Sequence, residues 1–227
     1  MSAPTSPTER MIAEIDGATG WMIFNNPARR NALSLDMWEA IPVILDHFER
    51  DPAVRVVVLK GAGDKAFISG ADISQFEQQR ASPEAVARYE AIADQAGARL
   101  QSFAKPLIAM IHGFCMGGGV GIALGCDLRI ADESARFAIP AAKLGITYRW
   151  AGLKRLIELV GPACAKEICF TARQFSAAEA LAMGLVNRVL PAGELSAYVK
   201  SYCDTIAQNA PLSIRAVKQI VYRVVGL

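Results

Sequence analysis

The run Leu107–Ile111 is wholly apolar, and the stretch that follows carries glycine at 113, 117, 118, 119 and 121. Glycines so frequent rule out a membrane helix across 107–124, and the segment reads as a buried strand, a glycine turn and then a helix from about Gly119 to Cys126. An earlier stretch has the same plan. The β-branched run Val54–Lys60 passes Gly61 and Gly63 and reaches Ala66-Phe67-Ile68-Ser69-Gly70-Ala71-Asp72-Ile73. Each loop bares backbone N–H groups just after a strand, and two such donors can face one oxygen. Holding a negative oxygen takes preorganised donors in a dry pocket, and residues without bulk let a substrate reach the main chain.

The rest of the chain repeats strand, loop and helix, the pattern of a layered α/β fold. Runs at Met11–Ile15 and Trp21–Phe24 flank an Asp16-Gly17 turn and predict a hairpin. Ser34 precedes a helix whose apolar positions Leu35, Trp38, Ile41, Leu45 and Phe48 recur at helical spacing, with Pro42 inside it and Asp51-Pro52 at its end. Ser82-Pro83-Glu84 opens a helix to about Phe103, and Leu128–Ala131 predicts another strand. After Gly152 the chain reads as mostly helical, near 153–160, 163–170, 177–183, 195–208 and 214–225. The expected organisation is a mobile tail over 1–10, a core over 11–150 and a helical region over 151–227 of the same unit.

A chain of 227 residues with 52% hydrophobic residues is long enough for one large core. Its 24 basic and 22 acidic residues leave a net charge of +2 without basic runs, so no electrostatic footprint for nucleic acid or an anionic membrane is present. The cysteines, at 115, 126, 164, 169 and 203, form no C-x-x-C pair and are odd in number, which suggests neither a zinc site nor a disulfide framework. Met1–Gly20 contains no apolar signal core, and free thiols suit a reducing compartment, so the cytoplasm is the expected location.

The two glycine loops, together with Asn25-Asn26-Pro27-Ala28-Arg29-Arg30-Asn31-Ala32-Leu33, Cys126-Asp127-Leu128 and Ala182-Met183-Gly184-Leu185-Val186-Asn187, resemble the crotonase (enoyl-CoA hydratase/isomerase) superfamily from about Ile12 to Lys218. The resemblance implies a spiral of ββα repeats with a helical C-terminal extension, assembled as a homotrimer or a dimer of trimers. It implies an acyl-CoA substrate, with coenzyme A entering as part of that substrate and no separate cofactor or metal. The backbone N–H groups of Ala71 and Gly118 would grip the thioester carbonyl, and the start of a helix at Gly118 adds favourable potential. Arg29 or Arg30, with Ala66, Ala71, Asp72, Ile73, Gly117 and Gly118, would line the coenzyme A site, where arginine suits phosphate by geometry and permanent charge. The alternative for Arg29 and Arg30 is solvated surface.

Where hydratases of the superfamily carry two glutamates, this chain has Gly121 and Ala141. Neither side chain can transfer a proton, and general acid–base help is worth about a hundred- to ten-thousand-fold per group. The expectation is therefore a thioester enzyme that stabilises an enolate without ordinary hydratase activity. The segment Leu144-Gly145-Ile146-Thr147-Tyr148-Arg149-Trp150-Ala151-Gly152 is similar to the methylmalonyl-CoA decarboxylase branch, which makes Tyr148 the best polar candidate for orienting a carboxylate. That branch keeps a glutamate where Gly121 stands, so the likeness is partial. The alternatives are a Tyr148 whose hydroxyl serves only packing, and a chain that binds coenzyme A without catalysis. Arg149 reads as an acyl-carboxylate partner or as solvated surface, His112 as a structural hydrogen-bonding residue, and Asp72 and Asp127 as residues that fix loops. A hydrolytic grouping of Ser69, His112 and Asp72 lacks the Gly-x-Ser-x-Gly elbow.

Overall fold

In the computed structural model, which describes residues 6–72 and 82–226, the chain forms two sheets wrapped by helices. The larger runs in the order β1 (Met11–Asp16), β2 (Thr19–Phe24), β3 (Val56–Gly61), β5 (Leu107–Ile111), β7 (Leu128–Asp132) and β10 (Arg188–Leu190). The β1–β2 pair is antiparallel, closing the expected hairpin at Gly17, whose φ is 59°. Every later pairing in this sheet is parallel. The smaller sheet runs in the order β4 (Ala66–Ile68), β6 (Phe114–Met116), β8 (Arg136–Ala138) and β9 (Phe175–Ser176).

Three strands of the large sheet each hand the chain to a strand of the small one and then to a helix. Thus β3 and β4 precede α2 (Pro83–Ser102), β5 and β6 precede α3 (Gly118–Leu124), and β7 and β8 precede α4 (Trp150–Thr171). This is the ββα spiral that the resemblance implies. The large sheet is apolar on both faces, as parallel strands covered by helices must be. Val57 and Leu59 face the main core with Phe24, Phe48 and Phe67, while Val56 and Val58 meet Leu195, Val199 and Cys203 of α6 (Leu195–Gln208). Phe24 and Phe67 join the two sheets edge to face at 6.0 Å, and each buried ring contributes about 1.5–3 kcal/mol.

Helix α1 (Leu35–Arg50) runs through Pro42, with Ser34 as its N-cap residue, although the Ser34 hydroxyl donates to Asp36 instead of accepting from the helix. Ser82 does cap α2, accepting from the Ala85 N–H at 3.2 Å. Two differences from the sequence reading stand out. The helices expected over 153–170 join into α4 with a break at Gly161, whose φ of 75° only glycine adopts freely. The region after 151 also holds β9 and β10, which complete the edges of the two sheets, besides α5 (Ala177–Ala182), α6 and α7 (Pro211–Val224).

Candidate active site

Strands β4 and β6 lie side by side and parallel, with Ala66 opposite Phe114 and Ile68 opposite Cys115. Parallel neighbours release their following loops at the same end of the sheet, so Ser69–Asp72 and Gly117–Gly118 emerge together. A β-carbon on Gly117 would lie 4.0 Å from the Gly70 α-carbon, which places the two turns in contact. Gly117 takes φ 49°, ψ −109°, turning the chain out of β6 and into α3. Gly119 packs so tightly that a β-carbon there would sit 2.4 Å from the Ile68 carbonyl oxygen, a position closed to any side chain.

The direction of the Ala71 amide follows from its neighbours. Leu33 donates to the Gly70 carbonyl and accepts from the Asp72 N–H, both at 2.8 Å. In such a parallel bridge the N–H of the residue between them turns the other way. Gly118 is the first residue of α3, and first-turn amides have no acceptor inside their own helix. Among the described residues neither the Ala71 N–H nor the Gly118 N–H donates to a backbone carbonyl. Leu33 and Trp38 lie against Gly118, within 3.0 and 3.5 Å of a built β-carbon.

The Asn25–Leu33 segment acts as a clamp on the first loop. Asn31, fully buried and at φ 55°, donates through Nδ2 to the Ala62 and Ala66 carbonyls at 2.9 and 2.8 Å and accepts from the Asn26 N–H at 3.0 Å. Arg29 pairs with the buried carboxylate of Asp72 at 2.9 Å. Ser69 donates its N–H to the Arg30 carbonyl and its hydroxyl to the Arg29 carbonyl. Asp72 is thus tied to the Asn25–Leu33 segment through a guanidinium side chain. Ile73 lies outside the described residues. The Arg30 guanidinium lies over the Phe114 ring at 5.0 Å and, with Ser69, Met116 and Lys143, lines a cleft of about 330 Å³ beside the loop.

Tyr148 comes to the second loop from the far side of the chain. Its hydroxyl donates to the Gly117 carbonyl at 3.4 Å, and its ring lies against Gly152, where a β-carbon would be 2.7 Å from Cε1. Burial, reinforced by Cys115 and Cys169, pushes the phenol well above its ordinary range, so it stays protonated at physiological pH. Ala141 sits on the short 3₁₀ helix Pro140–Leu144 and packs against the main core. Arg149 is partly exposed at the surface, where it forms an ion pair with Asp94 and donates to the Glu90 carbonyl at 3.1 Å.

The remaining candidates hold structure. His112 offers its carbonyl to the Phe67 N–H at 2.8 Å, and its pKa is lowered chiefly by burial. Asp127 accepts from the Leu107 N–H, Lys218 and Tyr222, tying α7 to the sheet. The Ser69 hydroxyl donates to the Arg29 carbonyl and the Asp72 carboxylate accepts from the Arg29 guanidinium. The role of Asn31 was not drawn from the sequence; its only signal was an amide in a turn-rich run before an apolar helix. Among the described residues no group of three His, Cys, Asp or Glu side chains could hold a metal ion, and no helix is long and apolar enough to cross a membrane.

The family model for enoyl-CoA hydratase/isomerase matches residues 14–225. The chain belongs to the enoyl-CoA hydratase/isomerase family, within the crotonase superfamily. It is 38% identical over 213 residues to a short-chain-enoyl-CoA hydratase of Clostridium acetobutylicum, covering 94% of this chain and 81% of that protein. It is 35% identical to a peroxisomal Delta(3,5)-Delta(2,4)-dienoyl-CoA isomerase of Arabidopsis thaliana, over 92% of this chain and 78% of the relative. A crystal structure of a family member from Hyphomonas neptunium superposes with a TM-score of 0.94 at 36% identity, covering 97% of this chain and 84% of that one. Family membership accounts for the spiral, and relatives named as hydratase and as isomerase share the family.

Proposed function

We propose that this family member acts on acyl-CoA thioesters by stabilising an enolate between the amides of Ala71 and Gly118. The observation that carries the reading is the pair of touching turns at the ends of β4 and β6, whose amides have no backbone acceptor among the described residues. Removing an α-proton, losing a carboxylate or adding water to the double bond all move charge onto the thioester oxygen. One preorganised donor lowers such a barrier by about 3 kcal/mol. Arg29, Arg30, Ala66, Asp72 and Gly117 border the coenzyme A portion in this reading, and no cofactor beyond the coenzyme of the substrate is needed.

Gly121 and Ala141 offer no proton-transfer group, so hydration is a minor activity at most. Incubation with crotonyl-CoA and with malonyl-type CoA esters, followed by mass analysis, tests the reading; a folded protein that turns over no thioester overturns it. Coenzyme A binding by calorimetry without any turnover would instead favour a non-catalytic binding role.

A second reading, a carboxyacyl-CoA decarboxylase, is favoured by the Tyr148 hydroxyl lying beside Gly117. A phenol that resists ionisation is a donor, not a base, and can hold a carboxylate out of the thioester plane. The C–C bonding pair then flows to the thioester oxygen, carbon dioxide leaves, and the α-carbon later takes a proton from water. Tyr148→Phe should cut carbon dioxide release while leaving coenzyme binding near the parent level. Exposed apolar side chains at Trp150, Phe170, Leu212 and Val224 support assembly of several copies, with a homotrimer or dimer of trimers in the cytoplasm as the proposed form.

A further inference from the structure

The turn that delivers Tyr148 is lightly held. Ile146 donates to the Ala141 carbonyl at 3.1 Å, but Arg149, the N-cap residue of α4, makes no side-chain cap bond and leaves the helix start in an extended conformation. Among the described residues, the side-chain ties from 147–149 to other elements are the Tyr148 hydroxyl and the Arg149 guanidinium, and the Arg149 carbonyl accepts from the Leu153 N–H of its own helix. That guanidinium forks across one face of α2, onto the Glu90 carbonyl and the Asp94 carboxylate, residues one helical turn apart.

Helix α2 buries only Ala96 and Leu100, both in its second half. Its first half packs Tyr89 and Ile92, both partly buried, against the main core, and Trp38 Nε1 donates to the Tyr89 hydroxyl at 3.1 Å. The Arg149 fork therefore ties the lightly held Tyr148 turn to α2, a helix already packed against the main core. The side chains of Arg149 and Asp94 are 39% and 62% exposed, so the pair adds little to global stability. What it can do is set a direction, because a planar guanidinium on two fixed acceptors defines both position and angle.

We propose that Arg149 and Asp94 are positioning residues that aim the Tyr148 hydroxyl at the glycine loop. The proposal rests on Tyr148 facing the thioester site, and its test includes a readout that needs no turnover.

Tyrosines are replaced by 3-fluorotyrosine, and the Tyr148 resonance is assigned by its loss in Tyr148→Phe. Arg149→Ala and Asp94→Ala should each move that resonance toward the solvent-exposed position and broaden it, with a native circular dichroism spectrum. The reversed pair, Asp94→Arg with Arg149→Asp, should bring it back toward the parent. For any thioester that is turned over, kcat falls by about three-fold in the single variants with KM unchanged, the kinetic equivalent of one exposed ion pair. An unmoved Tyr148 resonance in both folded single variants overturns the proposal, even if kcat falls. Should Arg149→Ala not fold, Asp94→Asn serves in its place with the same expected shift. A moved resonance in a protein that turns over no thioester would leave the positioning role standing and remove the enzymatic reading.

Discussion

The Tyr148 hydroxyl lies 3.1 Å from the point that a β-carbon on Gly121 would occupy. The ring and the missing side chain are complementary: Gly121 and Gly152 leave the space that Tyr148 fills. A carboxylate at 121 and a tyrosine at 148 cannot both occupy it without movement, which couples what the site lacks to what it has.

That coupling is measurable. Alanine in place of glycine inside a helix gains about 1 kcal/mol from propensity, but here the new methyl presses on the phenol oxygen. Gly121→Ala should therefore be neutral or unfavourable in the parent and should stabilise by up to about 1 kcal/mol in a Tyr148→Phe background. Denaturant titration of the four proteins gives the coupling, and additive effects would contradict the contact.

Asp72 is the next test, because its carboxylate is buried and Arg29 is half exposed. Asp72→Asn keeps the shape and loses the charge, and should cost about 1 kcal/mol, toward the low end for a charge-assisted bond. A loosened loop lowers kcat/KM without moving the apparent pKa values of the pH–rate profile. A shifted profile would instead make Asp72 a proton-transfer group.

Buried thiols contribute to how stability falls at alkaline pH. Burial raises Cys203 to about 11 and Cys126 to about 12, above the ordinary thiol value of 9.0. Both stay protonated in the folded state where the unfolded chain has already ionised, so their contribution is complete below the unfolded value and is lost as pH rises above it. Each thiol lowers the unfolding free energy by about 1.4 kcal/mol per pH unit in that window. Urea midpoints measured from about pH 8 to about pH 10.5 should fall, and Cys203→Ala should flatten the slope by one thiol.

On the acid side, His112 acts with the opposite sign. Its pKa is lowered first by burial and then by Lys60, against the opposing pull of Asp132, Asp64 and a Gly63 backbone bond, and its buried Nε2 has no hydrogen-bond partner among the described residues. The unfolded chain binds this proton more readily, so stability is present above the ordinary histidine value of 6.5 and is lost as pH falls below it. His112→Asn should remove that part of the pH dependence, read from thermal midpoints between about pH 7 and about pH 5. An unchanged dependence would assign it to other groups.

Much of this protein was legible in its residue order. Hydrophobic periodicity located α1, β5 and α6, the Asp16-Gly17 signal located the first hairpin, and the glycine loops with the Asn25–Leu33 segment pointed to the family. Those features are local, since period, turn chemistry and capping act over a few residues. The small sheet was not legible. Strands β4, β6, β8 and β9 are two or three residues long, too short to carry a period, and they form only because the spiral brings them side by side.

At the site the division is the same. Residue order by itself determined the two glycine loops and put no side-chain carboxyl at 121 or 141. Only the tertiary structure decided that Tyr148 enters the space left by Gly121, that Asn31 clamps the first loop, and that Arg149 reaches across to α2. Those contacts join residues far apart in the chain, and their geometry depends on how layers of sheet and helix pack, which no local pattern encodes.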